Sequence, residues 1–190
     1  MTRVPVLTRD GTWIADEWSV IRDPAATVNE SEAALLPLTF YLAQSPSAAR
    51  GVYLSPTDDP AALAPYLDAV PLIAIDFPVF NDGRGYSTAA VLRSRYQYHG
   101  DLRAIGDVLI DQLFLLRRVG FTSFLLRADQ DHFKAVAKLR TFSDAYQGAA
   151  DNPLPAFRRH ASGVAAAKVV RPHRAAARPA LAHLKHAAAA

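Results

Sequence analysis

From Gly51 onward the chain repeats one pattern: a short aliphatic run, then a polar or capping residue, then an amphipathic segment. Residues 72–75, LIAI, are the clearest case, set between Pro71 and Pro78. A run of that length is too short for a stable helix and suits a strand buried on both faces. Residues 52–54 and 121–127 read the same way, with helical segments expected at 61–67, at 88–96 and at 131–146. Strands alternating with helices require crossover connections of one hand. The expected fold is therefore α/β, a small, mostly parallel sheet of repeated βα units resembling a partial βα barrel.

Residues 101–119 admit two readings. Leu102, Ile105, Leu109, Leu113 and Leu116 keep helical spacing, while Gly106-Asp107 is a natural strand end and helix start. A mid-helix glycine costs roughly 1 kcal/mol, which favours a strand followed by a helix. Upstream, Asp10-Gly11 lies between two β-prone runs, the signal of a tight hairpin over residues 1–22. Residues 33–44 place Leu35, Leu36, Thr39, Phe40 and Ala43 near helical spacing, and a helix is expected there, with Pro37 in its first turns.

Charge divides the chain. Seven of the 21 Lys+Arg residues but one of the 18 acids lie from Asp151 on, which leaves residues 1–150 with a net charge of −3. The expected organisation is one α/β domain over residues 1–148, followed by a basic, alanine-rich tail over 149–190. The tail's small side chains bury little surface, so flexibility is expected, with a fragment near Phe157 packed back. Without aromatic interleaving or a basic folded face, the tail is not expected to bind nucleic acid. Zero cysteines exclude disulfides, thiolate metal sites and cysteine nucleophiles within the chain. The six histidines show no ligand spacing, so no metal or other cofactor is expected. No run is long and apolar enough to span a bilayer, and the first residues lack the apolar core of a signal peptide; a cytoplasmic home and no membrane partner are expected.

The densest chemistry is the stretch DFPVFNDGRGYS, residues 76–87. Asp76 follows LIAI directly and has no evident capping duty, and Asp107 and Asp129 follow the next expected strands. In parallel α/β folds the carboxyl ends of the strands share one cleft, which makes Asp76 and Asp107 the candidate acid/base residues. Asp107, Asp129 and Ser55 also have the plainer reading of caps and turn formers. Gly83 and Gly85 bracket Arg84, an arrangement able to present amides and a guanidinium to an oxyanion, although Asp82-Gly83 also starts many ordinary turns. Tyr86 and Ser87 complete the loop, as packing and helix cap in the first instance. Arg93, Arg95, Arg103 and Arg127 come from the segments around the expected cleft and favour an anionic ligand.

The combination FP-x-F-x-DGRGYS, LRSRYQYHGDLRAIGDVLIDQL, RRVGF and a terminal AYQ resembles a bacterial family, domain of unknown function 934, over residues 51–147. Members are typically encoded beside the assimilatory sulfite reductase haemoprotein and the enzymes that supply its sulfite. The resemblance implies a cytoplasmic accessory of sulfate assimilation and cysteine biosynthesis whose partner is that haemoprotein or a neighbouring enzyme. Carried over by position, it singles out Phe77, Pro78 and Phe80, the run from Asp82 to Ser87, and Arg93 and Arg95. Further on it singles out Leu102 to Ala104, Gly106, Asp107, Asp111 and Gln112, without roles. Two residues depart from the pattern: Gln97 stands where a glycine is expected and Val119 where a cysteine is common. The rival reading is a small enzyme or binding protein in which Arg84 clamps a sulfur oxyanion or a nucleotide phosphate.

Overall fold

The structure, a computed structural model, describes residues 4–22, 32–44 and 50–161. Eight strands form one sheet. They are β1 (Pro5–Thr8), β2 (Trp13–Ala15), β3 (Ser19–Val20), β4 (Ala34–Pro37), β5 (Arg50–Leu54), β6 (Leu72–Phe77), β7 (Asp101–Gly106) and β8 (Ser123–Phe124). Five helices, α1 (Leu38–Ala43), α2 (Arg84–Ser94), α3 (Leu113–Val119), α4 (His132–Lys138) and α5 (Ala156–Ala161), join them, with a 3-10 helix at Pro60–Tyr66.

The spatial order is β2-β1-β8-β7-β6-β5-β4-β3. Every pairing from β3 to β8 is parallel, and the hairpin β1-β2 adds antiparallel to β8. The sheet is curled into a half-barrel, and chain length explains why. β2 and β3 lie at opposite edges yet are joined only by residues 16–18. Laid flat, eight strands span about 34 Å, whereas four Cα steps reach about 14 Å at most. The edges are therefore drawn towards each other.

Curling gives the sheet an inside and an outside, and β6 is buried along its whole length because both faces are covered. Its outward residues Ile73, Ile75 and Phe77 join Leu102, Ala104 and Phe124 in the main core, which includes Ala89 and Leu92 of α2 and Leu113 and Leu116 of α3. Its inward residues Leu72 and Ala74 meet Leu35 and Ile105, with Trp18, Val20, Tyr53 and Leu125 around them. Gly51 makes room for this inner layer: a Cβ there would lie 2.6 Å from Leu35 Cδ2, 2.7 Å from the Leu72 carbonyl oxygen and 3.2 Å from the Trp18 ring.

Asp16, in the short β2–β3 connection, accepts from Arg103 Nη1 at 2.6 Å. Arg103 is 3% exposed and also reaches Ser123 Oγ at 3.1 Å and Asp101 Oδ2 at 3.5 Å. The pair fastens the connection that joins the two edges to the middle of the sheet.

Several expectations need correction. Residues 33–44 divide into β4 and α1, because the buried run ALLP pairs with β5 and Pro37 ends the strand while starting the helix. Residues 101–106 are a strand, and the helix after it starts at Leu113, so Asp107 is not its cap. The strand expected at 121–127 is confined to Ser123–Phe124. The helix expected at 131–146 is capped by Asp131 but ends at Lys138, before a stretch rich in Thr, Ser and Asp. The helix expected at 88–96 begins four residues earlier, at Arg84. As expected for the part of the tail near Phe157, residues 149–161 lie against the body: Asp151 pairs with Arg118 at 3.3 Å, and Phe157 of α5 meets the Tyr146 ring at 6.1 Å. The remainder of the expected tail lies outside the described residues.

Gln97 has φ of 53°, the left-handed region, which gives a physical reason for glycine at that position. Its side chain offsets part of the strain by donating to the Ser94 carbonyl at 2.6 Å.

Two substitutions test the curl. Gly51→Ala forces backbone to move and is expected to cost about 1–3 kcal/mol, read as a lower Tm with secondary structure retained. Asp16→Ala strands a buried guanidinium; since Asp101 and Ser123 remain beside it, the expected loss in a denaturant titration is roughly 3 kcal/mol, the low end for a broken buried pair.

Candidate functional site

The carboxyl ends of the parallel strands meet in an open cleft of about 490 Å³ lined by Arg22, Asp76, Phe77, Pro78, Gly106, Asp107 and Arg127. Asp76 and Asp107, the two candidate acids, are thus brought together. Asp76 points inward because it continues the Leu72, Ala74 alternation of β6. Its Oδ1 accepts from Arg22 Nη2 at 3.2 Å and its Oδ2 from the Tyr53 hydroxyl at 3.0 Å. Arg22 Nη1 also donates to the Tyr53 oxygen at 2.9 Å, and its guanidinium lies 5.2 Å from the Tyr53 ring centre. Burial, and next the Asp76 carboxylate, push the Tyr53 pKa up; the hydrogen bond to Asp76 raises that of Arg22.

Gly106 is required at the floor of this site. Its φ is 93°, and a Cβ would lie 2.5 Å from the Phe77 carbonyl oxygen and 2.7 Å from Asp76 Oδ1. The same turn aims Asp107 two ways. Its Oδ2 accepts from the Phe80 amide at 2.9 Å and its Oδ1 from Arg127 Nη1 at 2.6 Å. Arg127 then grips Asp129 with Nε at 2.7 Å and Nη2 at 2.8 Å. These bonds hold the Asp129 carboxyl well below the usual range and raise the Arg127 pKa.

Residues 78–83 rise beside the cleft as a loop clamped from below. Besides the Asp107 bond, Gln112 Nε2 donates to the Phe80 carbonyl at 2.6 Å, while Gln112 Oε1 accepts from the Leu109 amide at 2.9 Å. Both Val79 and Phe80 keep about half of their surface open, at 50% and 52%. Arg84 is paired at 2.7 Å with Asp82, whose pKa it lowers chiefly through that side-chain bond.

In and beside the Gly83-Arg84-Gly85 segment two amides already have partners. The Arg84 amide donates to Asp82 Oδ1 at 3.1 Å and the Tyr86 amide to the Gly83 carbonyl at 3.2 Å. Gly83 has φ of −78° and no neighbour within 4 Å of a Cβ. Gly85 serves packing: a Cβ would meet the Phe77 ring at 2.7 Å. Tyr86 lies edge-on to the Phe77 ring at 5.5 Å, and burial raises its pKa. Ser87 is exposed on the first turn of α2, with no hydrogen bond to its hydroxyl among the described residues.

The arginines expected around the cleft separate. Arg127 lines it and Arg84 sits on the neighbouring loop, but Arg103 turns into the barrel interior towards Asp16. Arg93 ties α2 to the Gly120 carbonyl at 2.9 Å and to the Gly100 carbonyl at 3.0 Å, and Arg95 lies over the Tyr96 ring. Sequence reasoning missed Arg22 and Tyr53. The signal for Tyr53 was its place in VYL, where alternation turns it to the face opposite Val52 and Leu54; Arg22 had none, because its contact with Asp76 is made across the curl. Among the described residues no group of three or more His, Asp or Glu is placed to hold a metal ion, and no helix is long and apolar enough to cross a membrane.

The clamp predicts a local effect. Asp107→Ala removes a charge-assisted bond to the Phe80 amide, and amide exchange at residues 79–82 is expected to quicken about tenfold, the equivalent of roughly 1.4 kcal/mol. Exchange in β6 and β7 is expected to change much less.

No curated protein and no solved structure matches the chain. A model of one family, described as a bacterial protein of unknown function (DUF934), matches residues 51–157. That span runs from β5 into α5 and takes in Tyr53, Asp76, the clamped loop, Asp107 and Arg127, leaving Asp16 and Arg22 outside it. On that match, which covers more than half of its length, the chain belongs to the DUF934 family of bacterial proteins.

Proposed function

We propose that this protein is a cytoplasmic accessory of assimilatory sulfate reduction and cysteine biosynthesis, and that it docks onto sulfite reductase through the loop at residues 78–84. The observation that carries the reading is the clamped loop. Asp107 and Gln112 hold both backbone groups of Phe80, while Val79 and Phe80 remain half open. An aromatic anchor ordered before binding loses little entropy on docking, which is the physics of an interface hot spot. The Asp82–Arg84 pair beside it supplies polar groups for the rim of such an interface. The partner itself comes from the resemblance to a family encoded beside sulfite reductase. The same reading takes the curled sheet as a partial βα barrel, with the working loops gathered at the carboxyl ends of its parallel strands.

The rival, a site for a sulfur oxyanion or a nucleotide phosphate, has less support. Arg22, Arg84 and Arg127 each face a carboxylate already, so a simple anion has to compete for every guanidinium at this edge.

Tagged protein from cells growing on sulfate is expected to recover sulfite reductase. Phe80→Ala is expected to weaken recovery at least tenfold, in line with loss of an anchor worth about 2 kcal/mol, at unchanged Tm. Arg84→Ala is expected to weaken it less. Recovery of the same proteins by wild type and Phe80→Ala would overturn the docking role. A deletion strain tested on sulfate, sulfite and sulfide locates the step: growth on sulfide alone supports the assignment, and unimpaired growth on sulfate sinks it.

A further inference from the structure

The cleft behind the loop has a charge pattern that the docking role does not use. Arg22 and Asp76 line it from one side, and Asp107 and Arg127 from the other. Arg127 is also held by Asp129 outside the cleft, whose lining holds two guanidinium groups and two carboxylates. The carboxylates of the two lining acids are not filled. Among the described residues, Asp76 accepts one bond on each oxygen and so does Asp107, against roughly four acceptor positions for a carboxylate. Among the described residues Arg22 bonds through its two terminal nitrogens, and its side chain is 58% exposed.

Three ligand classes fare differently against this pattern. A simple anion meets a carboxylate beside each guanidinium, and drawing Arg22 towards itself strips Asp76, whose side chain is 8% exposed, of its ion-pair partner. A simple amine fills vacant acceptor positions on Asp76 and Asp107 but leaves the spare guanidinium donors of Arg22 and Arg127 unmatched. A small molecule with both charges exchanges with the internal pair as a unit: its ammonium takes acceptor positions on Asp76 and Asp107, and its carboxylate takes the guanidinium donors of Arg22 and Arg127. No buried charge is left unpaired at any stage.

We infer that this cleft is a binding site for a small zwitterion of the α-amino-acid type. Pro78, exposed at the rim, supplies the apolar surface on which a short side chain rests, and Gly106 keeps the approach to Asp76 free of a Cβ. Tyr53 is a positioning residue: its hydroxyl holds Asp76 from beneath and orients the carboxylate towards the cleft. The inference shares Pro78 and Asp107 with the loop but not Val79 or Phe80, the exposed side chains that carry the docking reading.

The test is a thermal-shift and calorimetric titration of the full chain with each common α-amino acid in turn, using methylamine, acetate and sulfate as single-charge controls. At least one amino acid is expected to raise Tm by about 2 °C or more at on the order of 10 mM, with smaller shifts from all three controls. Asp76→Asn is expected to abolish the shift. Because that side chain is buried, Arg127→Gln serves as a second variant at a more exposed position, and it is expected to weaken binding at least fivefold. Phe80→Ala is expected to keep the shift, so a failure of docking and a failure of this site are told apart. No response to any amino acid, an equal or larger response to methylamine, acetate or sulfate, or full binding by Arg127→Gln overturns the assignment.

Discussion

Everything at the carboxyl edge depends on the curl imposed by the short connection from β2 to β3. With three residues to cross from one edge of an eight-stranded sheet to the other, the sheet cannot lie flat. The Asp16–Arg103 pair fastens that connection, and Trp18 fills the space that Gly51 leaves open. A buried ion pair is a costly way to gain stability, because desolvation cancels much of the attraction. Here its geometry has a second use, since it fixes where the closing segment sits relative to β7. That places Arg22, six residues further on, over Asp76.

The edge so formed is a set of balanced pairs rather than a basic patch. Arg22 answers Asp76, Arg84 answers Asp82, and Arg127 answers Asp107 and Asp129. Arginine in a sequence suggests an anion partner because its charge is permanent and its donors are forked. Whether those donors are available is a separate matter, decided by neighbours that need not be near in sequence. In this protein Asp82 and Asp129 come from two residues away, whereas Asp107 and Asp76 come from 20 and 54 residues away.

The loop and the cleft share this edge. Asp107 contributes to both, with one oxygen on the Phe80 amide and the other on Arg127. The loop is therefore stiff at its base and open at its tip, while the cleft keeps acceptor positions turned to solvent.

Much of the scaffold was legible from local pattern. The aliphatic run of β6, the Asp10-Gly11 hairpin and the strand end at Gly106 follow from side-chain shape and backbone sterics over a few residues, whereas the glycine expected at Gln97 came from the family resemblance and found its steric reason only in the structure. The β4–α1 segment was misread because a short buried strand and a helix start share the same apolar spacing. Asp76 could be singled out because an acid in line with buried residues must have a partner; that the partners are Arg22 and Tyr53 could not, because the contact spans 54 and 23 residues of sequence. The sequence by itself determined which segments become strands and which acids end them, since those depend on periodicity and local sterics. Only the tertiary structure decided which guanidinium meets which carboxylate, because that pairing is set by the curl of the sheet.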